Sequence, residues 1–295
     1  MKDLLKKLLP QTALSKIRKF RYSNERYAKR LGATSKRLDL CAVQVAHMLH
    51  LCQRQSIKDK ACLEIGSGWV LSHAIVFHLL GAKRVVATDI EKLADLNALY
   101  SSIHSSELSI IRDILSPFDN HSDIRQRLND LVSIKRFTFQ NLKEIGMEYV
   151  SPVDLSRNPL SVQFDIIYSF SALEHVPCQD ITPLISNMNQ MLKIGGIMLH
   201  AIHLEDHANF SDEPFAFLSE TRHNFTPQVQ SRRGNRLRKS QWNFLFSNLP
   251  NIEGSLLYQW LRTDKPLPTA VDQSIAYTDE DDLRVSHIGV YCKKA

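Results

Sequence analysis

From residue 61 onward, short apolar runs of strand length alternate with longer amphipathic segments, and this alternation constrains the fold more than any other feature. Such alternation is typical of βαβ units, which build a parallel sheet covered by helices. The runs predict strands at 61–65, 84–88, 147–150, 164–169 and 196–202, with two later strands near 253–262 and 284–292. The remaining segments predict helices at 38–54, 70–80, 92–103, 180–192 and 239–249, and one more within 104–146. We therefore predict an α/β fold, in which Gly195-Gly196 ends the helix at 180–192.

The composition excludes several classes of protein. Hydrophobic residues make up 43% of the chain and charged residues 23%, and no uninterrupted apolar stretch of about 18 residues is present to cross a bilayer. The five cysteines are odd in number and lack CxxC spacing, which disfavours a disulfide frame or a zinc ribbon. Because 295 residues exceed what a minimal α/β core needs, we expect one domain with additions.

Positive charge is concentrated at the N-terminus. Residues 1–37 carry 12 Lys or Arg against Asp3 and Glu25, a net charge of +10, whereas the whole chain carries +6. Apolar residues at helical spacing within 12–30 predict a helix with a basic face. That helix either packs on the domain or rests on an anionic membrane surface or an acidic partner. Because the segment lacks a sustained apolar core and a small-residue cleavage site, we expect an uncleaved, cytoplasmic protein.

The first stretch that indicates a function is 63–70, where a predicted strand runs into a glycine loop and then an apolar helix. Asp89 ends the next predicted strand, where a carboxylate can accept both hydroxyls of an adenosine ribose. Together these features predict an adenosine-type cofactor. Leu71 stands where a dinucleotide-binding loop has a third small residue, and Glu64 places a negative charge that suits an amino-acid ammonium. These two residues favour S-adenosylmethionine over NAD.

The segment Glu64-Ile65-Gly66-Ser67-Gly68 resembles the glycine-loop motif of class I S-adenosylmethionine-dependent methyltransferases, and Asp89 matches their ribose-binding acid. Asp154 falls where that family places an acid against the adenine. Residues 164–176 and 192–196 resemble the family's fourth strand with its LEHV ending and the turn before its fifth strand. The resemblance implies a Rossmann-like sheet of seven strands in the order 3-2-1-4-5-7-6, with an antiparallel last strand. It implies cofactor contacts at Glu64, Gly66, Ser67, Gly68, Asp89, Ile90, Asp154, Leu155 and Ser169.

The family also implies methyl transfer by displacement at a sulfonium, for which the enzyme aligns the acceptor with the methyl group and excludes water. A base is needed only where the acceptor must lose a proton, as a sugar hydroxyl must. Glu174-His175 follows the fourth predicted strand, and an unperturbed pKa of about 6.5 makes His175 a candidate base. In the alternative interpretation, His175 lines the cofactor pocket. Glu174 is expected to have an orienting or structural role.

Residues 200–207, with the sequence HAIHLEDH, form a second cluster after the fifth predicted strand. The cluster resembles an H-x-I-D-L-x-D-H sequence of methyltransferases encoded with polysaccharide-assembly enzymes, which also carry the N-R-L-R found here at 235–238. We predict that Asp206 and His207 act as an acid-oriented base or contact the substrate, and that His203 binds substrate; an ordinary surface loop is the alternative. A metal site formed by His203, Glu205 and His207 is not predicted, because no further ligand is identifiable in the sequence.

Five cations occupy the eight residues 232–239. Arginine recognises carboxylate or phosphate through two parallel hydrogen bonds, so Arg236 and Arg238 are candidates to hold an anionic acceptor, with a solvated surface as the alternative. Nucleic acid is not expected as a partner. Residues 168–171 lack the Asn/Asp-Pro-Pro-aromatic sequence of base-amine methyltransferases, and no recognition module is present.

We therefore predict a cytoplasmic S-adenosylmethionine-dependent O-methyltransferase that acts on a glycan precursor or a small natural product. The alternatives are a carboxyl or amine methyltransferase of a peptide or secondary metabolite, and a partner subunit that binds the cofactor without turnover. The predicted organisation is a basic helical extension at 1–56, a cofactor-binding core at 57–203, a substrate or lid insertion at 204–250 and sheet-completing strands at 251–295. The acceptor's identity, the methylated atom and the oligomeric state are not predicted.

Overall fold

The computed structural model describes residue 34, residues 37–53 and residues 56–295. The predicted helix at 12–30 lies outside the described residues. Helix α1, Arg37–Leu51, confirms the predicted helix and buries Leu38, Val45 and Met48 on one face, whereas Leu40 and Val43, which the periodicity also places on the apolar face, are half exposed. In the part of the chain that the structure describes, no helix combines the length and the apolarity needed to cross a bilayer.

A single seven-stranded sheet organises the described chain. Its strands are β1 Ala61–Ile65, β2 Arg84–Thr88, β3 Met147–Val150, β4 Phe164–Phe170, β5 Leu192–His203, β6 Ile252–Leu261 and β7 Val285–Lys294. Their order is β3-β2-β1-β4-β5-β7-β6. Strands β1 to β5 pair in parallel, and β7 is antiparallel to both β5 and β6. The predicted Rossmann-like methyltransferase fold is thus confirmed in strand position, order and direction.

Helices cover both faces of the sheet. Beyond α1 they are α2 Ser72–Leu79, α3 Leu96–Ser105, α4 Leu108–Leu115, α5 His121–Ser133, α6 Phe139–Glu144, α7 Cys178–Met191, α8 Pro227–Arg233, α9 Lys239–Ser247 and α10 Glu280–Arg284. The segment 104–146 holds three helices and not the single one predicted. Polar caps explain the division, because the Asn120 side chain accepts from the Ser122 N–H at the start of α5, and Thr138 and Asn141 form a capping box at the start of α6.

The predicted role of Gly195-Gly196 is wrong. Helix α7 ends at Met191, and the chain enters β5 directly at Leu192, before either glycine. Both glycines lie in an irregular start of β5, where Gly195 has a φ of +75° and the register against β4 shifts. The end of α7 is therefore set by the pairing of Leu192 with Phe164 of β4, and not by a glycine that terminates the helix.

The insertion at 204–250, predicted to be a substrate or lid insertion, is packed against other parts of the chain. Phe215, Phe217 and Phe225 are buried in a separate apolar cluster together with Ile275 and Leu283, which come from the connection between β6 and β7. Helix α9 then packs the buried Trp242 against the main core. The insertion is thus a packed layer beside the sheet, and it presents its first residues, 204–207, to the end of β5.

Candidate active site at the carboxyl ends of the strands

The strand order places a crevice between β1 and β4. The chain winds from β1 toward β2 and β3 on one side and from β4 toward β5 on the other, and ligands of open α/β sheets bind where the winding direction reverses. The segments that leave the carboxyl ends of these strands meet there. They are the loop 66–68 after β1, Asp89 after β2, the turn 171–175 after β4 and residues 204–207 after β5.

Two backbone N–H groups of the glycine loop donate hydrogen bonds to β2 and to the Asp89 side chain, and the two glycines serve different purposes. The Ser67 N–H donates to the Thr88 carbonyl oxygen at 2.9 Å, and the Gly68 N–H donates to Asp89 Oδ2 at 2.9 Å. Gly66 has a φ of +70°, and a Cβ there would lie 2.6 Å from the Ala172 Cβ. Gly68 has a φ of +63°, but no described heavy atom outside its chain neighbours lies within 4 Å of its ideal Cβ. Gly66 thus allows contact with the turn after β4, whereas Gly68 borders the space above the loop.

Asp89 can accept hydrogen bonds beyond those that it already makes. Its side chain accepts from the Gly68 and Glu91 N–H groups, at 2.9 and 3.1 Å. A carboxylate offers about four lone-pair positions, so two acceptor positions are left for hydroxyls of a ligand. The neighbouring Ile90 is 65% exposed, which provides an apolar surface against which a flat ring can lie.

Glu64 is a buried carboxyl group at the base of the crevice. The Tyr168 hydroxyl donates to Glu64 Oε2 at 3.4 Å, and His73 Nδ1 lies 3.9 Å from Oε1. Burial raises the pKa of Glu64 to about 8, opposed by the Tyr168 hydrogen bond and assisted by the charge of Asp89. Because burial also lowers the pKa of His73 to about 3, that imidazole is neutral and supplies no counter-charge. Glu64 therefore holds a proton at neutral pH unless a cation approaches it.

The remaining predicted cofactor residues have clear structural contacts. Asp154 Oδ1 accepts from the Ser156 N–H at 3.0 Å and so shapes the turn after β3. The Leu155 side chain is buried in the core, which leaves its backbone for any ligand contact. Ser169 is fully buried at the end of β4, with its Oγ 2.8 Å from His200 Nδ1.

Three side chains meet at the turn after β4, whose Ala172 lies against Gly66 of the glycine loop, and form a group that we call the Glu174 group: Glu174, His175 and His207. The His175 and His207 rings have centroids 4.4 Å apart, and His207 Nε2 lies 3.6 Å from Glu174 Oε1. Burial lowers the pKa of His175, while the Glu174 charge opposes that shift. Two imidazoles and one carboxylate can accept a proton or ligate a cation.

A second cluster, the Glu205 group, comprises His203, Glu205 and His287. Its carboxylate is fully paired, because His203 Nε2 lies 2.6 Å from Glu205 Oε2 and Arg262 donates to Oε1 at 2.8 Å. The His203 ring stacks on His287, at 4.2 Å between centroids, and also contacts His207, at 4.5 Å. The Glu205 group is therefore in contact with the Glu174 group through the His203 and His207 rings.

Asp206 does not orient His207 as predicted. Arg233 Nε lies 3.1 and 3.2 Å from its two carboxylate oxygens, and Oδ1 also accepts from the Ala208 N–H. The Asp206 carboxylate thus forms an ion pair with Arg233, which connects helix α8 of the insertion to the residues that follow β5. The carboxylate close to His207 is Glu174, for which the sequence predicts only an orienting or structural role.

Arg236 and Arg238 are not available to an acceptor either. Arg236 lies over the Phe225 ring, 3.9 Å from its centroid, and donates to the Phe217 carbonyl oxygen at 3.2 Å. Arg238 is 1% exposed and donates to the Leu204 carbonyl oxygen at 2.9 Å, and burial lowers its pKa to about 10. Both arginines hold the insertion together, so the predicted acceptor contact is replaced by a structural role.

Sequence reasoning missed two residues that build the site. The Asn235 amide donates to the carbonyl oxygens of Leu173 and Val176 at 3.0 and 2.9 Å and thereby fixes the turn that carries Glu174. His287 reaches the Glu205 group because β7 pairs with β5 in a register that sets it opposite His203. The N-R-L-R sequence at 235–238 could have drawn attention to Asn235, because its first residue is that asparagine. No local pattern marks His287, since the register of distant strands decides its position.

Neither protein-family models nor curated protein sequences match this chain. Among solved structures, an S-adenosylmethionine-dependent methyltransferase from Mesorhizobium loti is 14% identical, with 84% of this chain and 98% of that chain covered and a TM-score of 0.46. Magnesium protoporphyrin IX methyltransferase from Synechocystis with bound SAH is 11% identical over 88% of this chain and 85% of that chain, with a TM-score of 0.44. An N-methyltransferase from Bradyrhizobium japonicum is 12% identical over 86% and 97%, with a TM-score of 0.38. The fold assignment rests on the strand order, not on these distant likenesses.

Proposed function

We propose that this protein is an S-adenosylmethionine-dependent methyltransferase that methylates a hydroxyl group of a glycan precursor or small natural product. The glycine loop carries the proposal. Its Gly68 N–H is fixed on Asp89, and its Gly68 Cα borders free space at the point where the sheet reverses its winding. A loop so held lets a ligand approach the backbone while the neighbouring carboxylate accepts its hydroxyls.

The chemical character of the crevice fits S-adenosylmethionine. Asp89 has lone pairs for the ribose, Ile90 offers an apolar surface for the adenine, and the buried Glu64 suits the ammonium of the methionine part. When bound, this cofactor supplies a methyl group on a positively charged sulfur, which becomes neutral once the methyl group has left. Glu64 lies on β1 and Asp89 directly follows the neighbouring strand β2, so the chain anchors the two ends of such a ligand separately.

The Glu174 group is the proposed acceptor side of the site. An acceptor hydroxyl gives its proton to an imidazole nitrogen of His207 or His175, and the oxygen's electron pair forms the new bond to carbon. Glu174 lies 3.6 Å from His207 Nε2, so its negative charge stabilises the imidazolium that forms. Two imidazoles beside the loop favour a hydroxyl acceptor over a carboxylate, which needs no base.

Two measurements test this proposal. Calorimetry on the full chain should show that S-adenosylhomocysteine binds far more tightly than NAD; equal or absent binding of both would contradict the cofactor assignment. Transfer of labelled methyl groups to a panel of sugars, phenols, peptides and amines then identifies the acceptor class. Alkali releases methanol from methyl esters but leaves methyl ethers intact, so an alkali-labile product would support the carboxyl alternative. Tight binding without transfer to any acceptor would support the non-catalytic alternative.

The location and the partners of the protein also stay predictions. We propose a cytoplasmic enzyme with a small-molecule or glycan acceptor and without a nucleic-acid partner. Contact between the basic segment 1–37 and an anionic membrane is a separate hypothesis, for which salt-sensitive association with anionic vesicles is the test. Since Arg236 and Arg238 are committed to structural contacts, we do not specify the acceptor's charge.

A further inference from the structure

The two carboxylates beside the histidines differ in whether their oxygens are satisfied. In the Glu205 group both oxygens are paired, one with His203 and the other with Arg262. Glu174 is only 1% exposed, yet neither of its carboxylate oxygens has a hydrogen-bond partner among the described residues. Burying an ionised carboxylate without such partners is costly, so this arrangement points to a ligand that the carboxylate binds.

The positions of the neighbouring imidazoles define where that ligand lies. One ligating atom from each of Glu174, His175 and His207 lies within 4.8 Å of the other two. His207 Nε2 and Glu174 Oε1 are 3.6 Å apart, too long for a hydrogen bond. Two ligands held at about 2.0–2.2 Å from one tetrahedral ion lie about 3.4 Å apart, which is close to this separation.

The orientation of His175 supports the same interpretation. Its Nδ1 lies 3.0 Å from the Ser231 carbonyl oxygen, which can only accept, so Nδ1 carries the proton and Nε2 keeps its lone pair. Histidines that bind metals commonly donate their other ring N–H to a backbone carbonyl in this way, which fixes both the tautomer and the ring plane. The His207 Nε2 atom is likewise buried and has no hydrogen-bond partner in the described part of the chain.

We infer that Glu174, His175 and His207 bind a divalent transition-metal ion of the zinc class through three protein ligands, with a further coordination position open to the acceptor. Two imidazole nitrogens and one carboxylate oxygen suit zinc or cobalt better than magnesium or calcium, which prefer all-oxygen sites. Three protein ligands with an open position are typical of catalytic and not of purely structural zinc.

The ion's role in turnover rests on the proposed function. An acceptor hydroxyl bound to the ion loses its proton to water more readily, because the ion's charge stabilises the oxyanion. The oxygen's electron pair then forms the bond to the methyl carbon, as in the metal-free scheme. In the metal-loaded enzyme the ion therefore replaces the imidazole base, and His175 and His207 serve as its ligands.

The test measures metal binding on the full-length protein without any acceptor. After treatment with a chelator, Zn²⁺ is titrated by calorimetry, and Co²⁺ is added separately to record its visible absorption. We expect one tight equivalent of Zn²⁺ and a Co²⁺ spectrum of low coordination number. Glu174→Gln and His207→Gln should each weaken Zn²⁺ binding by more than about 100-fold, since loss of even an outer-shell partner costs about 10–100-fold. The matched control is His104→Gln, at an exposed histidine of helix α3, and it should leave the affinity within a few-fold. A separate His287→Gln variant tests the neighbouring Glu205 group.

The possible results separate the site from its alternatives. Absence of tight Zn²⁺ binding, or equal affinity in the parent, Glu174→Gln and His207→Gln proteins, overturns the inference. Loss of binding in His287→Gln alone places the ion in the Glu205 group and also overturns it. Circular dichroism and S-adenosylhomocysteine binding by each variant show that the fold is intact. They also distinguish failure of the metal site, with cofactor binding retained, from failure of the proposed function, with metal binding retained.

Discussion

The two sides of the crevice are built by different means. On the cofactor side, the key groups are backbone positions and acids within 64–89, and β1 and β2 set them side by side through regular parallel pairing. On the acceptor side, Glu174, His207 and His287 come from three distant parts of the chain. The cofactor side therefore depends on local backbone shape, whereas the acceptor side depends on side-chain contacts between elements.

This difference predicts which property each side controls. Substitutions on the cofactor side should change cofactor affinity and loop stability, because the loop is part of the sheet's hydrogen-bond framework. Substitutions on the acceptor side should change turnover and leave the cofactor bound. Each of the following experiments asks whether this separation holds.

The largest expected effect is on turnover. His207→Gln should reduce kcat by about 10²–10⁴-fold with the acceptor found in the methyl-transfer screen, because either a base or a metal ligand is lost. The affinity for S-adenosylhomocysteine should stay nearly unchanged. The exposed His104 lies in α3, about 100 residues before His207 in the sequence, and gives a matched control. The His104→Gln protein should have the kcat of the parent. A His207→Gln protein that loses cofactor affinity as well would break the separation between the two sides.

The second effect is a pH dependence caused by Glu64. Burial raises its pKa to about 8 in the folded protein, so the folded state binds more protons than the unfolded state between about pH 4.5 and 8. The stability that this group contributes is complete below pH 4.5 and is lost as pH rises through 8, a change of about 5 kcal/mol. Denaturant titrations should show that slope in the parent and not in Glu64→Gln.

The same carboxyl group also links proton release to cofactor binding. An ammonium placed beside Glu64 favours its ionised form, so binding at pH 7 should release a proton. Calorimetry in two buffers with different ionisation enthalpies measures that release. Identical apparent enthalpies in both buffers would remove Glu64 from the cofactor site.

The third effect distinguishes the two loop glycines. Gly66→Ala should lower the free energy of unfolding by about 2–4 kcal/mol, since it combines an unfavourable positive φ with a clash against the Ala172 Cβ. Gly68→Ala adds only the backbone strain, about 1–2 kcal/mol. Replacing Ala172 by Gly in the Gly66→Ala background should recover part of the loss. Equal destabilisation by both single variants, without recovery, would show that the contact with Ala172 is unimportant.

The smallest effect concerns Asp89. Asp89→Ala should weaken S-adenosylhomocysteine binding by about 1–3 kcal/mol, because hydrogen bonds to a charged acceptor are lost. Glu91, whose N–H donates to the same carboxylate, offers a neighbouring control, and Glu91→Ala should bind like the parent. Unchanged affinity in Asp89→Ala would show that Asp89 does not bind the ligand. Its role would then be limited to the hydrogen bond from the Gly68 N–H.

The cluster of cations at 232–239 shows where reasoning from sequence fails. A run of arginines predicts either a solvated surface or an anion site, yet Arg238 is buried and donates to backbone carbonyl oxygens of its own insertion. Arg233 is paired with Asp206, so Asp206 does not take its predicted role of orienting His207. Whether a charge is buried depends on what the fold packs around it, and residue type and spacing carry no such information.

The sequence by itself determined the strands, their order through the family resemblance, and the glycine loop with Asp89. These features follow from local periodicity and backbone conformation, which neighbouring residues encode. Only the tertiary structure decided that Glu174, unlike Glu205, has no hydrogen-bond partner for its carboxylate among the residues that the structure describes, and that His287 lies opposite His203. Those facts depend on strand register and on desolvation by distant elements, because a carboxylate's partners are fixed only when the chain closes around it.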